Sequence, residues 1–318
     1  MSAIARSARL RLSAVGDAWQ SFWFQPQPMY TLGVVRIAFG ALAVLWGLWL
    51  LPMRNGLLDA RGVTPAQPSV AHTWGIFEIW NSNEAMLIGA VVLVLSSLAL
   101  LTGWHSRLAA VVVFVLIVSF ERRSPWVFNA GDVLVRIEAF LLAISPCGAA
   151  LSLDQRRLTG SFWSAQIRAK WPIQLIRVQM SLVYLASARV KLSGETWLNG
   201  TAVSYALRLD DMRRVPLPEW LVTNGLAMNI LTWGAISVEL AVGALVWFPR
   251  CRPWVLSAGV LLHVMIDIHI QIGIFSLAMF VMYLSWLSPE TAKRLPDKLK
   301  DPRRRSDPAP SRDADSGI

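Results

Sequence analysis

Eight apolar stretches recur along this chain, at residues 32–51, 84–102, 108–120, 133–150, 173–190, 223–248, 254–271 and 274–288. No other feature constrains the fold as strongly. About 20 apolar residues in a helix match the roughly 30 Å hydrocarbon core of a bilayer. Inside that core each backbone amide has to find its partner within the protein, which leaves helices as the way through for isolated apolar segments. The expectation is an all-α, polytopic membrane helix bundle of about eight transmembrane helices. The third and last stretches are short. Only Ile272 and Gly273 separate the last two, so a tight hairpin and a single broken helix are both open.

Composition supports the same class. Of 318 residues, 55% are hydrophobic and 16% charged, whereas a soluble domain carries roughly 25% charged residues. This excludes a disordered chain, a nucleic-acid-binding domain and a disulfide scaffold. The chain holds 16 Trp against 4 Tyr, and Trp favours the membrane–water interface. Cys147 and Cys251 show no metal-ligand spacing and read as buried thiols.

The net charge of +10 would suggest nucleic acid in a soluble protein. Its placement suggests membrane topology instead. With an even number of spans and the N-terminus inside, 18 basic residues fall in inner segments, 8 in outer loops and four, Arg36, Arg136, Arg177 and Arg189, within spans. The positive-inside rule then gives N-in and C-in, in the plasma (inner) membrane, with the lipid bilayer as partner and no nucleic acid. Three units follow: an amphipathic interfacial segment over 1–28, a transmembrane domain over 29–288 and a disordered polar tail over 289–318.

Ionisable side chains at membrane depth cost several kcal/mol unless paired or facing a wet cavity. Here they are Arg36, Arg136, Glu138, Arg177, Arg189, Lys191, Glu239, His263, Asp267 and His269. One reading is a buried ion-pair network that fixes helix register; the other is a polar cavity for a charged or redox-active molecule. Two sites are sharper. Lys191 falls where its helix meets the interface, to snorkel into the headgroups or to act as a general base in low dielectric. His263 and Asp267, four apart, share a helix face and suit an oriented imidazole or a satisfied buried pair. His269 lies off that face, so no metal site is expected.

At these residues the chain resembles the HTTM domain proteins, best known from the vitamin K-dependent γ-glutamyl carboxylases. The resemblance rests on Arg36–Ala41 (RIAFGA), on Asn129, Gly131 and Asp132 in FNAGDVLVRIEAFLLAISPCGAALSLD, and on Tyr184, Lys191, Leu192, Gly194, Trp197 and Gly200 in YLASARVKLSGETWLNG. It continues through Glu239 and through His263 followed by Ile272, Gly273, Phe275 and Ser276. The resemblance implies a reduced quinone of the vitamin K or menaquinone type, with O2 and CO2, in a lyase or carboxylase-like reaction. Lys191 would be the base and His263 a second catalytic residue, with Asn129, Asp132, Tyr184, Trp197, Glu239 and Asp267 around the quinone, and a peptide or protein as substrate or accessory. The carboxylases carry a histidine where this chain reads Asn129-Ala130-Gly131-Asp132. A non-catalytic quinone- or lipid-binding subunit for maturation, export or immunity of a peptide partner is the other reading.

Overall fold

The computed structural model describes residues 3–53, 56 and 74–300. Each of the eight apolar stretches carries a helix. The chain begins with α1 (Ala3–Phe24), a short strand β1 (Pro26–Pro28) and α2 (Tyr30–Met53). Next come α3 (Ile76–Ile79), α4 (Asn83–Thr102), α5 (Ser106–Arg123), α6 (Ala130–Ile144), α7 (Leu153–Thr159) and the strand β2 (Ile167–Ala169). Then follow α8 (Trp171–Lys191), the short α9 (Glu195–Leu198), α10 (Ala202–Arg208) and α11 (Glu219–Val222), and α12 (Gly225–Leu245). The chain continues with α13 (Arg252–His269), α14 (Phe275–Tyr283) and α15 (Pro289–Lys300).

Three of these, α2, α4 and α12, are long and apolar enough to cross a membrane by length and composition. The last apolar stretch is different. It holds the nine residues of α14 and a 3-10 turn at Leu284–Trp286. At about 1.5 Å per residue this reaches about 18 Å, short of a hydrocarbon core of about 30 Å. Between α13 and α14 the chain reverses as a hairpin: Gly273 sits in the left-handed region at φ 67°. Across it His263 faces Phe280 with ring centroids 5.9 Å apart. A Cβ at Gly259 would lie 1.9 Å from the Tyr283 hydroxyl, so any side chain here would have to displace that tyrosine.

Successive long helices run in opposite directions, which sorts the connections to two poles. At one pole β1 pairs antiparallel with β2, and Asp154 accepts hydrogen bonds from the amides of His105 and Ser106 at 2.9 and 2.8 Å. Thr31 Oγ1 donates to the Leu287 carbonyl at 3.1 Å at the same pole. At the other pole the start of α6, the end of α8 and the α13–α14 turn converge. The core runs through the middle along α2, where Leu32, Phe39, Trp46 and Leu50 are buried. Gly40 lets α4 approach α2 closely, since a Cβ there would lie 2.6 Å from Leu101 Cα.

The ends of the chain correct the expected division. The segment over 1–28 closes in the strand Pro26–Pro28, an addition to an otherwise all-α fold. In the stretch expected to be a disordered tail, residues 289–300 form α15. The Ser288 hydroxyl accepts from the Thr291 amide at 3.1 Å, Pro289 opens the first turn, and Ala292 is fully buried in contact with α2. Residues 301–318, the rest of that tail, lie outside the described residues, as do Arg54 and Arg61.

Of the two readings of the membrane-depth charges, the connected ion-pair network does not form among the described residues, where only isolated pairs occur. Arg36, fully buried, donates instead to the Leu151 carbonyl at 2.5 Å. Arg177 donates twice to the Ser285 carbonyl, at 2.9 and 2.7 Å, and lies over the Trp286 ring. Arg136 pairs with Glu121. Arg189 is exposed. Glu138 is 4% exposed, and neither carboxylate oxygen has a hydrogen-bond partner among the described residues. Backbone carbonyls and an aromatic face, not acids, take the guanidinium groups of Arg36 and Arg177.

Candidate functional site

The pole where α6, α8 and α13 converge holds a cavity of about 340 Å³. Asn129 and Ala130 line it from the start of α6, Tyr184, Ser187 and Lys191 from α8, and Glu239 from α12. Leu262, His263 and Ile266 close it from α13, and Gln271, Ile272, Phe275 and Met279 from the turn and α14. Met212 reaches it from the loop after α10. That loop is held in place by two bonds to the α13 end, from the Arg214 amide to the His269 carbonyl at 2.9 Å and from the Gln271 amide to the Met212 carbonyl at 2.7 Å.

On α8, Tyr184, Ser187 and Lys191 are spaced three and four apart and therefore share one face. Lys191 Nζ donates to Glu239 Oε1 at 2.6 Å and to Ser187 Oγ at 2.7 Å. It also lies 5.0 Å from the Trp197 ring centroid. The lysine, with 19% of its side chain exposed, has neither snorkelled free nor been left as an isolated amine. Glu239 belongs to the opposing helix and is 8% exposed. Its Oε1 accepts from Lys191 and, at 3.3 Å, from the Ser187 hydroxyl, while Oε2 is buried with no hydrogen-bond partner among the described residues.

The wall beside this pair is a hydrogen-bonded series. His263 Nε2 meets the Tyr184 hydroxyl at 2.7 Å, and that hydroxyl meets Tyr283 at 2.6 Å. On the other side of the ring, Nδ1 meets Ser276 Oγ at 3.3 Å, and Ser276 donates to Asp267 Oδ1 at 2.9 Å. An ionised carboxylate only accepts. Asp267 thus takes the serine proton, Ser276 accepts from Nδ1–H, and Nε2 is left to accept from Tyr184. The helix-face reading of His263 and Asp267 as a direct pair is corrected by this serine: the two residues communicate through Ser276, supplied by α14.

Five expected site residues, Asn129, Tyr184, Lys191, Glu239 and His263, come together on the cavity. Three do not line it. Asp132 is 2% exposed and caps α6 by accepting from the Asn129 amide at 2.7 Å. Its other oxygen takes the Trp46 indole N–H at 2.7 Å, so the N-x-G-D pattern here is a capping box. Trp197 sits behind Lys191, and Asp267 behind Ser276. His269 points away, its Nδ1 at 3.0 Å from the Val215 carbonyl. Sequence reasoning missed Ser187, Tyr283, Met212 and Gln271. Ser187 could have been found from its face-sharing with Tyr184 and Lys191; the other three arrive from distant segments. Among the described residues no group of three or more His, Cys, Asp or Glu could hold a metal ion.

Comparison with known proteins adds three findings. Residues 24–290 match the HTTM domain. The chain is 24% identical over 243 residues to the uncharacterized protein YitO of Bacillus subtilis (strain 168), covering 72% of this chain and 76% of that protein. No solved structure matches it.

Proposed function

The chain belongs to the HTTM domain family, and from that premise we propose that the cavity binds a reduced quinone-type molecule and that the Lys191–Glu239 pair acts on its ring hydroxyl. The observation that carries this reading is an ion pair across two helices beside a largely apolar cavity, Lys191 and Glu239 both lining it. The residues fit such a group. A cavity of about 340 Å³ lies within the range of about 300–1,000 Å³ usual for small-molecule sites. Its apolar side, built by Val183, Leu262, Ile266, Ile272, Phe275 and Met279, suits a fused ring.

In this reading Lys191 and Glu239 hold and polarise the hydroxyl, and Trp197 shields the ammonium from water. The series from Tyr184 through His263 and Ser276 to Asp267 keeps the adjacent wall in one protonation pattern. When bound, the quinol supplies the redox chemistry, in a lyase or carboxylase-like reaction with O2 and CO2 as co-reactants. The protein crosses the plasma membrane as a multi-pass bundle built on eight apolar helices, the short α14 leading back to the β1–β2 pole, with both termini inside and α1 on the inner surface. A peptide or protein is the acceptor or accessory.

The test is direct. Purified protein supplied with reduced menaquinone and oxygen should form the epoxide, and Lys191→Ala should slow it by about two orders of magnitude. Absence of epoxide with the wild type, alone or with a copurifying partner, returns the protein to a non-catalytic quinone- or lipid-binding role. An equal rate with Lys191→Ala removes the lysine from the chemistry.

A further inference from the structure

We propose that the link between α4 and α5 forms, together with the short helix α7, a binding site for the headgroup of an anionic phospholipid, with Arg156 and Arg157 holding its phosphate. The site lies at the β1–β2 pole, at the other end of the bundle from Lys191 and Glu239. It does not depend on what their cavity holds.

A depression of about 460 Å³ is lined there by Trp104, Leu153, Arg156 and Arg157. Its charges are not balanced. Both arginines are exposed, and among the described residues neither pairs with an acid. The acid beside them in the chain, Asp154, is committed elsewhere: Oδ1 accepts from the His105 amide at 2.9 Å, and Oδ2 from the Ser106 amide and hydroxyl at 2.8 and 2.6 Å. Those bonds fix the link, and with it one wall of the depression, in a shape where His105 takes a φ of 44°. A non-glycine residue adopts that region rarely. Arg157 is already positioned. A guanidinium only donates, so Nη1 gives a hydrogen bond to His105 Nε2 at 3.1 Å, and the group lies 5.8 Å from the Trp104 ring centroid. Arg156 makes no side-chain hydrogen bond among the described residues. Other cations at this pole are engaged, Arg168 with Gln166, Lys170 with Gln25 and Arg252 with the Val246 carbonyl.

Depth selects a lipid phosphate over other anions. The apolar helix α4 ends at Thr102 and α5 begins at Ser106, so the link between them falls where hydrocarbon gives way to headgroups. Trp104 is exposed there, the residue type that favours this layer. Leu108 on α5 and Leu158 on α7 also expose apolar side chains, as suits a neighbourhood of acyl chains. An arginine offers a phosphate two parallel N–H donors, and basic pockets at this depth suit anionic headgroups. Two cations without a paired acid favour a headgroup of net negative charge over a zwitterionic one.

The experiment uses delipidated full-length protein in a neutral detergent, with native mass spectrometry to count bound lipid and phosphatidylglycerol, phosphatidylcholine and inorganic phosphate as probes. The wild type should bind phosphatidylglycerol at least about tenfold more tightly than phosphatidylcholine, a factor between the effects of one and two cations at a membrane surface. Arg156→Gln with Arg157→Gln should remove the preference. Arg168→Gln with Arg250→Gln takes the same charge from exposed positions at the same pole and should keep it. Inorganic phosphate at equal concentration should not displace the lipid. Equal affinity of the wild type for the two lipids overturns the proposal. So does a preference that survives the first pair of substitutions, or one that falls as far with the second pair, the mark of diffuse surface charge. Displacement by inorganic phosphate makes the occupant a free anion and overturns the assignment to lipid. The wild-type comparison decides the matter even where a variant does not fold.

Discussion

Tyr184 is the residue on which the cavity wall depends most. It is 3% exposed, and its one hydroxyl serves His263 at 2.7 Å and Tyr283 at 2.6 Å. Tyr184→Phe keeps the ring and its packing but strands both partners in a buried, apolar setting. The expected loss is about 1–3 kcal/mol for each partner left unmet, read as a lowered midpoint of thermal unfolding in detergent. An unchanged midpoint would mean that the series is not formed as described. Ser276→Ala should fall on the same side with a smaller effect, since its longer bond to His263 is 3.3 Å and only Asp267 loses a close donor. At this scale the sequence was partly legible. Lys191, Glu239 and His263 stood out as ionisable residues at membrane depth, whereas Tyr184 and Asn129 were named through the family resemblance. The partners of His263 could not be identified as such. Ser276 and Tyr283 reach it only because the chain turns back at Gly273, a tertiary event that helical periodicity within one element does not encode.

Helix positions were legible for a simpler reason: burial and lipid contact both demand apolar runs, so each run marks a helix whatever it packs against. The connections were less so. The elements α7, α9, α10 and α11 are four to seven residues long, below the length at which periodicity speaks. For α15 the signal was present in Ser288-Pro289-Glu290, a cap followed by proline at the first helical position, but a charged composition outweighed it. Close approach between elements gives a sharper prediction. Gly40 of α2 faces the backbone of Leu101 on α4, with room for no side chain. Gly40→Val would push the two most extensively packed helices apart and should cost at least about 1–3 kcal/mol, the usual penalty for overpacking. The measurable outcome is a shift toward aggregate in size-exclusion chromatography after detergent extraction. Gly234→Val, on α12 with open space around it, should elute as the wild type does.

Across the whole molecule, the alternation of helix directions divides the charges as well as the connections. Arg107, Arg156, Arg157, Arg168, Lys170, Arg250, Arg252, Lys293 and Arg294 lie at the pole of the β1–β2 pair, whereas Arg122, Arg123, Lys191, Arg208, Arg213 and Arg214 lie at the cavity pole. The cavity pole also spends Lys191 on Glu239 and Arg213 on Asp210, at 2.6 Å in both cases, so its uncompensated charge is lower still. In the orientation proposed from the positive-inside rule, the β1–β2 pole would face the cytoplasm and the cavity would open toward the outer half of the membrane. Two single cysteines test this. Leu158→Cys places a thiol at the first pole, on a residue 70% exposed, and Glu195→Cys places one on the exposed α9 at the second. Cys147 is buried and Cys251 is half-buried, so the background is Cys251→Ser. With a membrane-impermeant maleimide on intact cells, the Glu195→Cys protein should label and the Leu158→Cys protein should label only after permeabilisation. The reverse pattern would turn the molecule over and place the cavity on the cytoplasmic side. Equal labelling of both on intact cells would contradict a bundle with its poles on opposite faces of the membrane. Because an apolar ring dissolved in the bilayer reaches either half but a peptide does not, the labelling side also decides from which compartment a peptide acceptor could meet Lys191 and Glu239.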